Sequence, residues 1–327
     1  MPRRAASPAR KSPAKPASKG KLLFPGGGTF FWWQIGAAQK LCELYDLSEV
    51  ELCGCSAGAL AAAFARCGVD PAAAYAYAFE IADRAQIFER PLGLFGKWGA
   101  LVEDWLERML PADVSACDGT IAIAVTRMVP LPHPVRVRRF ADRAELIGAL
   151  RASTHLPLFL DGRLLSRHAG GWTADGGLLQ WFGLRSNAGV LGGGGDAGGG
   201  AHTLVECTVD ARFMAACAAH GWGPLSPHGT DAFIKYGAEF VTAQARLGPD
   251  GHFAALEPLR KGGRRAPAGQ RRPAFEPPAP PPRPFFRSEY GAIFVPRAML
   301  SALLALLLFV ARLPARAAAR LSSRRGY

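Results

Sequence analysis

Gly54-Cys55-Ser56-Ala57-Gly58 decides the fold, because it places a serine between two glycines where an apolar run meets an alanine-rich run. Residues 50–53 predict a short buried strand, and residues 57–67 predict a helix. A G-x-S-x-G sequence between strand and helix is typical of a nucleophile elbow. Gly54 and Gly58 let the backbone turn tightly, and the first helical amides, starting with Ala57, face any negative charge beside Ser56. The alternative is a serine that merely caps a helix after a glycine turn.

A second glycine-rich turn, Pro25-Gly26-Gly27-Gly28, follows the apolar residues 22–24 and precedes a helix predicted from Phe31. Such a turn presents backbone amides at a helix N-terminus, the geometry that an anion or an oxyanion requires. A nucleotide phosphate is the alternative ligand. However, the lysine of the G-x-x-x-x-G-K-[ST] loop is absent, and Phe31 stands where G-x-G-x-x-G needs its last glycine. Gly26, Gly27 and Gly28 are therefore predicted to shape an oxyanion hole.

A third element is Asp175-Gly176-Gly177, which alone would indicate a surface turn. In this order along the chain, the glycine turn, the serine pentapeptide and Asp175-Gly176-Gly177 resemble the patatin-like phospholipase family. Segments 125–127, 135–140 and 151–157 are similar to the blocks that this family has between its serine and its aspartate. The resemblance covers residues 22 to about 182.

The resemblance implies a fold, a site and a reaction. The fold is an α/β three-layer sandwich with a largely parallel sheet. The site is a Ser-Asp dyad, with Ser56 as nucleophile and Asp175 as its base, and it needs no metal or other cofactor. The reaction is the hydrolysis of a long-chain acyl ester, either triacylglycerol or glycerophospholipid. Phe30 and Phe31 depart from the family, which usually has a basic or hydrophobic residue and a further glycine soon after the glycine cluster.

The chemistry of such a dyad also follows from its groups. Serine is a poor nucleophile near neutral pH, so a base must remove its proton during attack on an ester carbonyl. A free aspartate, with a pKa of about 3.9, is a weak base at pH 7 unless burial raises that value. A lipid alcohol that replaces water would make the same site a transacylase.

Two other interpretations stay open. One is a Ser-Asp-His triad of the α/β-hydrolase kind, for which histidines follow Asp175 in the required order. These histidines are His202, His220 and His228. The other is a catalytically silent protein that binds or scaffolds a lipid surface, an option that the altered glycine loop keeps open.

Charge and composition divide the chain into four parts. Residues 1–21 carry seven Lys or Arg and no acidic residue, and they predict a disordered basic tail or a transit segment. Residues 22–256 are the predicted catalytic domain, with a flexible glycine-rich insertion at 189–200. Residues 257–290 form a Pro/Arg-rich linker, and residues 291–327 a hydrophobic, basic-flanked anchor. The basic charge lies in the tails, and because these lack the interleaved aromatic and basic residues of single-strand readers, no nucleic-acid partner is expected.

Residues 298–311 carry no charge and are flanked by arginines. A helix of this length reaches roughly 21 Å, less than the hydrocarbon core of about 30 Å, which favours an interfacial anchor over a full crossing. A buried closing helix is the alternative. The expected partner is a lipid substrate at a membrane or lipid-droplet surface inside the cell, with organelle import left open. The sequence leaves any protein activator undefined.

Cysteines and aromatic residues complete the predictions. The seven cysteines are odd in number and form no C-x-x-C pair, so free thiols are expected rather than disulfides or a zinc site.

The aromatic residues 30–33 are consecutive, and four consecutive helical positions face every side. Some of them are therefore predicted to line an acyl channel or to enter a lipid surface. Further along, residues 203–209 predict a strand and residues 231–246 a helix.

Overall fold

The computed structural model describes residues 20–90, 93–193, 202–222 and 229–262. Residues 1–19 of the expected basic tail, the linker after residue 262 and the predicted anchor at 291–327 lie outside these ranges. None of the helices within them combines the length and the apolar character that crossing a bilayer requires.

Strands and helices alternate along most of the described chain. The strands are β1 (Gly20–Phe24), β2 (Val50–Cys55), β3 (Ile121–Arg127), β4 (His133–Val137), β5 (Ser166–His168), β6 (Gly171–Ala174) and β7 (His202–Leu204). The helices are α1 (Phe31–Leu44), α2 (Ala57–Cys67), α3 (Pro71–Arg84), α4 (Trp98–Met109), α5 (Arg143–Ser153), α6 (Leu178–Trp181), α7 (Ala211–His220) and α8 (Thr230–Leu247). Strand β1 begins at Gly20, so the last two residues of the expected tail belong to the sheet.

The strands form one mixed sheet. β3, β2, β1 and β7 are parallel neighbours in that order, whereas β4 and β6 pair with β3 in antiparallel fashion and β5 pairs with β6. The predicted α/β fold with a largely parallel sheet is confirmed for this central part. The predicted strand 203–209 is wrong beyond Leu204, because residues 207–209 form a 3₁₀ turn that leads into α7. Asp210 caps that helix by accepting a hydrogen bond from the Phe213 amide at 3.2 Å.

Alternating side chains of the sheet build a core on each face. Leu22, Leu52 and Ile123 face the large core beneath the main helices, including α1, α2, α5 and α8. Leu23 and Cys53 face a thinner layer that contains Leu179 of α6 and the segment Ala188–Gly193. The sandwich therefore has three layers of unequal depth.

The start of the glycine-rich insertion belongs to that thin layer. Val190 and Leu191 are fully buried, and Arg136 Nε donates to their carbonyl oxygens at 3.1 and 3.2 Å. Prediction of a flexible insertion over 189–200 is thus wrong for residues 189–193, because two apolar side chains and their backbone are held against the sheet. Residues 194–200 lie outside the described ranges.

Residues 31–38 of helix α1 are all buried, which corrects the interpretation of its aromatic residues. Phe31, Trp32 and Trp33 are each less than a tenth exposed. A Cβ on Gly237 of α8 would lie 2.0 Å from the Trp33 carbonyl oxygen, so the glycine allows the two helices to cross in close contact. The Trp33 indole donates to Asp210 Oδ2 at 3.0 Å. These rings form part of the core, so the prediction that they enter a lipid surface is wrong for these three residues, whereas the acyl channel stays a prediction.

The packed body extends past the boundary expected at residue 256. Tyr45 Oη donates to Glu257 Oε1 at 2.9 Å, and the Arg260 guanidinium lies 5.2 Å from the Tyr45 ring centroid. The Lys261 amide then donates to the Leu44 carbonyl oxygen at 2.9 Å. Residues 257–262 are therefore attached to the end of α1 rather than belonging to a linker.

Candidate active site

Ser56 stands at a strained turn between β2 and α2. Its backbone has φ 52° and ψ −127°, a conformation that a residue with a side chain rarely adopts. Two close approaches explain the glycines on either side. A Cβ on Gly58 would lie 1.9 Å from the Phe24 carbonyl oxygen, and one on Gly54 would lie 2.3 Å from the Gly58 carbonyl oxygen. The predicted elbow is present, and it leaves the Ser56 side chain half-buried at the end of the strand.

The sheet brings Asp175 to Ser56 along one edge of β3. Cys55, the last residue of β2, pairs with Ala124, and Ala174, the last residue of β6, pairs with Thr126. β4 occupies the other edge of β3 at these positions, so β2 and β6 approach each other end to end. Each functional residue directly follows its strand. The Ser56 hydroxyl consequently donates to Asp175 Oδ2 at 2.7 Å.

The Asp175 carboxylate is enclosed and held in place. Only 1% of the residue is exposed, and its Oδ1 accepts a hydrogen bond from the Gly177 amide at 2.8 Å. Its own amide donates to the His155 carbonyl oxygen at 2.8 Å. Burial raises the pKa of Asp175 to about 7, and the hydrogen bonds from Ser56 and Gly177 oppose part of that rise. A pKa near 7 leaves ionised carboxylate present at neutral pH, as proton transfer from serine requires.

The glycines of the Asp175-Gly176-Gly177 element also have defined positions. A Cβ on Gly176 would lie 2.0 Å from the Ala124 carbonyl oxygen, so the turn can pass beside β3 only with glycine there. Gly177 supplies the amide that fixes the carboxylate and directly precedes α6.

Ser153, at the end of α5, connects the serine turn to the aspartate turn. Its Oγ accepts a hydrogen bond from the Ser56 amide at 2.9 Å and donates to the Ala124 carbonyl oxygen at 2.7 Å. Its carbonyl oxygen accepts from the Gly176 amide at 2.9 Å. Sequence reasoning assigned this buried serine no role. The only signal was its place in the segment 151–157, one of the blocks similar to the family.

The glycine turn lies against the nucleophile. A Cβ on Gly26 would lie 3.3 Å from Ser56 Cβ, and Gly28 has φ 57°. Within the described ranges, the amides of Gly27, Gly28 and Ala57 donate no hydrogen bond to another group. The Gly26 amide is engaged differently. Burial raises the pKa of the Cys55 thiol, and a hydrogen bond from the Gly26 amide offsets part of that rise.

This arrangement coincides with a family match. The model of the family described as patatin-like phospholipase matches residues 22–188, about half of the chain. The chain belongs to the patatin-like phospholipase family. The matched range contains the glycine turn, Ser56 and Asp175.

A curated protein is similar to part of the chain. The omega-hydroxyceramide transacylase of Homo sapiens is 29% identical over 168 residues, which are 50% of this chain and 31% of that protein. The patatin-like chain thus spans about a third of the length of the relative that it matches.

Phe30 and Phe31 are the departures of this patatin-like chain from the family pattern, and both pack inward. The Phe30 ring centroid lies 5.5 Å from that of Phe213, and the Phe31 ring centroid lies 5.9 Å from that of Phe64. Both rings pack against the core and so hold the adjacent glycine turn in place.

The histidines considered for a triad lie elsewhere or outside the description. His202 pairs with Lys21 at the exposed start of β7, and the His220 ring stacks on Trp222 at 4.7 Å. His228 is outside the described ranges. In the parts of this patatin-like chain that the structure covers, no histidine ring bonds to Ser56 or Asp175.

Those parts also contain no group of three metal-ligating side chains. All seven cysteines fall within them as free thiols.

Proposed function

We propose that the chain is a lipid acyl hydrolase, in which Ser56 is the nucleophile and Asp175 its base. The substrate is a long-chain acyl ester, either triacylglycerol or glycerophospholipid. The observation that carries the proposal is the 2.7 Å hydrogen bond from Ser56 Oγ to a buried carboxylate whose pKa is about 7. Action at an intracellular membrane or lipid-droplet surface is part of the proposal and rests on the sequence of residues 298–311 alone.

Acylation begins when Ser56 Oγ attacks the ester carbonyl carbon and its proton passes to Asp175 Oδ2. The carbonyl oxygen becomes an oxyanion, which the free amides of Gly27, Gly28 and Ala57 are proposed to hold. Removing one such donor typically costs roughly a hundred- to a thousand-fold in turnover. When the carbonyl re-forms, the bond to the alcohol breaks, and the proton on Asp175 passes to the departing oxygen.

Deacylation repeats these steps with water. Asp175 accepts a proton from water, the resulting hydroxyl attacks the acyl-serine, and the same amides stabilise the second oxyanion. The bond between Ser56 Oγ and the acyl carbon then breaks, and the proton returns to the serine. A fatty acid leaves, and the dyad is restored without a histidine.

A transacylase is the second candidate. The similarity to a protein named omega-hydroxyceramide transacylase favours it, because the same acyl-serine forms in both reactions. The two functions differ only in the deacylation step, in which a lipid hydroxyl replaces water as the acceptor. The identity of the acceptor is therefore the property to measure.

Turnover of defined substrates by the full chain tests the proposal. Triolein emulsion, phosphatidylcholine vesicles and p-nitrophenyl butyrate are supplied with and without a long-chain alcohol, and free acid and new ester are both quantified. Ser56→Ala and Asp175→Asn should lose turnover, while Ser48→Ala at an exposed position should keep it. Free acid as the main product supports the hydrolase, and new ester supports the transacylase. Turnover that persists in Ser56→Ala would disprove both.

A further inference from the structure

Five large apolar side chains are exposed on the segments that flank Asp175 and on the β3–β4 hairpin, although such residues are mostly buried in the described body. Their exposed fractions are between 42% and 57%. They are Val129 and Leu131 after β3, Trp172 on β6, and Trp181 and Leu184 at the end of α6. We call this set the apolar rim.

The apolar rim has a common base. The Met128 amide donates to the Trp172 carbonyl oxygen at 2.9 Å, which joins the β3–β4 hairpin to β6. Met128, Ala174 and Leu178 form one small buried cluster, against which Phe182 packs. The residues that carry the rim therefore extend from the same cluster on the thin-layered face of the sheet.

The rim adjoins the dyad. Asp175 lies three residues after Trp172 and six before Trp181, so the proposed base is between the two exposed indoles along the chain. β3 pairs with the end of β2 at Ala124 and then runs on towards Val129. Three further strand residues at about 3.3 Å each carry β3 roughly 10 Å beyond the end of β2, before the loop that contains Val129 and Leu131. A surface that contacts the rim would lie over the edge of the sheet where Ser56 is half-exposed.

Unpaired positive charge surrounds the rim. Arg163, Arg167 and Arg185 are exposed, and none forms an ion pair with another described residue. The Arg167 guanidinium lies 5.2 Å from the Trp172 ring centroid. Asp161 is the only acidic residue in segments 127–133, 161–172 and 178–187.

Arginines elsewhere differ in their pairing: the exposed Arg108 and Arg246 form no ion pair with a described residue, whereas others do. Arg84, Arg143 and Arg212, for example, are each paired with a carboxylate. The unpaired arginines beside the rim thus leave charge available for an external anion.

We propose that the apolar rim is a docking surface for an anionic lipid bilayer or monolayer. Tryptophan rings prefer the boundary between headgroups and acyl chains, and arginines beside them attract anionic headgroups. The rim would bring the dyad to the surface that holds its substrate, so it deepens the proposed lipid activity and rests on it. Lipid binding itself is measured without catalysis.

Vesicle binding by the full chain is the first test. Flotation with phosphatidylcholine vesicles, with and without phosphatidylserine, compares the wild type with Trp172→Ala/Trp181→Ala and Arg167→Gln/Arg185→Gln. Leu247→Ala, at a position 51% exposed on α8, is the matched control. The tryptophan variant should bind about tenfold more weakly, because two rings lose their apolar burial in the lipid. The arginine variant should lose its preference for phosphatidylserine. Wild-type binding by both variants would overturn the proposal.

Depth of insertion provides a second test, because residues 298–311 are themselves predicted to bind membranes. Brominated lipids quench tryptophan fluorescence only where a ring enters the acyl region. The quenched fraction should fall strongly in Trp172→Phe/Trp181→Phe, while hydrolysis of soluble p-nitrophenyl butyrate should stay at the wild-type rate. An unchanged quenched fraction would show that neither ring enters lipid and would favour a protein partner. If the wild type itself did not hydrolyse p-nitrophenyl butyrate, that result would count against the proposed function and not against docking.

Discussion

Replacing Asp175 by asparagine should abolish ester turnover and yet stabilise the fold above neutral pH. Burial raises the pKa of this carboxyl group to about 7, so the folded protein binds its proton more tightly than the unfolded chain does. Stability contributed by the neutral form is present at low pH and is lost as pH rises through the folded pKa. Asparagine has the same shape but never acquires the buried charge.

The size of this effect follows from the two pKa values. An unfolded aspartate titrates near pH 3.9 and the folded group near 7, and each unit of difference corresponds to about 1.4 kcal/mol. Between pH 5 and pH 8 the wild type should therefore lose about 3 kcal/mol of unfolding free energy that the variant keeps. The unfolding free energy of Asp175→Asn, relative to that of the wild type, should therefore increase by that amount from pH 5 to pH 8.

Urea unfolding at pH 5, 6, 7 and 8 measures this gap directly. Asp161→Asn is the matched control, because Asp161 also accepts a hydrogen bond from the amide two residues later but is exposed. The comparison separates the removal of a buried carboxylate from the removal of an exposed one that makes the same kind of hydrogen bond. A constant gap for Asp175→Asn, or one that narrows as pH rises, would refute the inference that a buried carboxylate with a raised pKa serves as the base.

The remaining predictions concern reactivity and packing. Because Asp175 must be ionised to accept a proton, kcat/KM should rise with pH to a plateau above about 7, and a flat profile from pH 5 to pH 9 would contradict its role. Ser153→Ala should lower kcat about tenfold or more at unchanged KM, because the nucleophile's amide loses its acceptor; an effect on KM alone would exclude a positioning role. Gly58→Ala should give no folded protein by circular dichroism, since its Cβ would lie 1.9 Å from a carbonyl oxygen of β1, and a native spectrum would disprove that clash. Trp33→Phe should cost about 1–3 kcal/mol of unfolding free energy by removing the hydrogen bond to Asp210, with equal activity losses on emulsified and soluble esters. Selective loss on the emulsion would instead support lipid contact.

The sequence predicts the local elements of the site well, because each has a strong local pattern. The strand, glycine and helix around Ser56 specify the elbow, and helix α2 has the predicted limits 57–67. Asp70 and Asp142 are of a residue type that the N-cap position favours, and both accept hydrogen bonds from amides three residues later. In a capping box the Glu145 carboxylate would accept from the Asp142 amide, but here it accepts from the Ala141 amide at 2.8 Å.

Features that depend on distant parts of the chain were not predictable in this way. The three-residue strand β5 is too short for a periodic signal, yet it pairs with β6, which leads into Asp175. Ser153 acts through contacts 97 and 29 residues away along the chain. The complete burial of residues 31–38 of α1 depends on the crossing with α8, about two hundred residues later, and the sequence of α1 carries no local pattern for that partner.

Labelling of the purified full chain with a fluorophosphonate, followed by peptide mapping, tests the central claim most directly. The proposed dyad predicts one adduct per chain, located on Ser56. The adduct should be absent from Ser56→Ala and form far more slowly in Asp175→Asn. A folded chain whose Ser56 stays unreactive, or one labelled at another serine, would contradict the account and leave a catalytically silent lipid-binding protein as the better explanation.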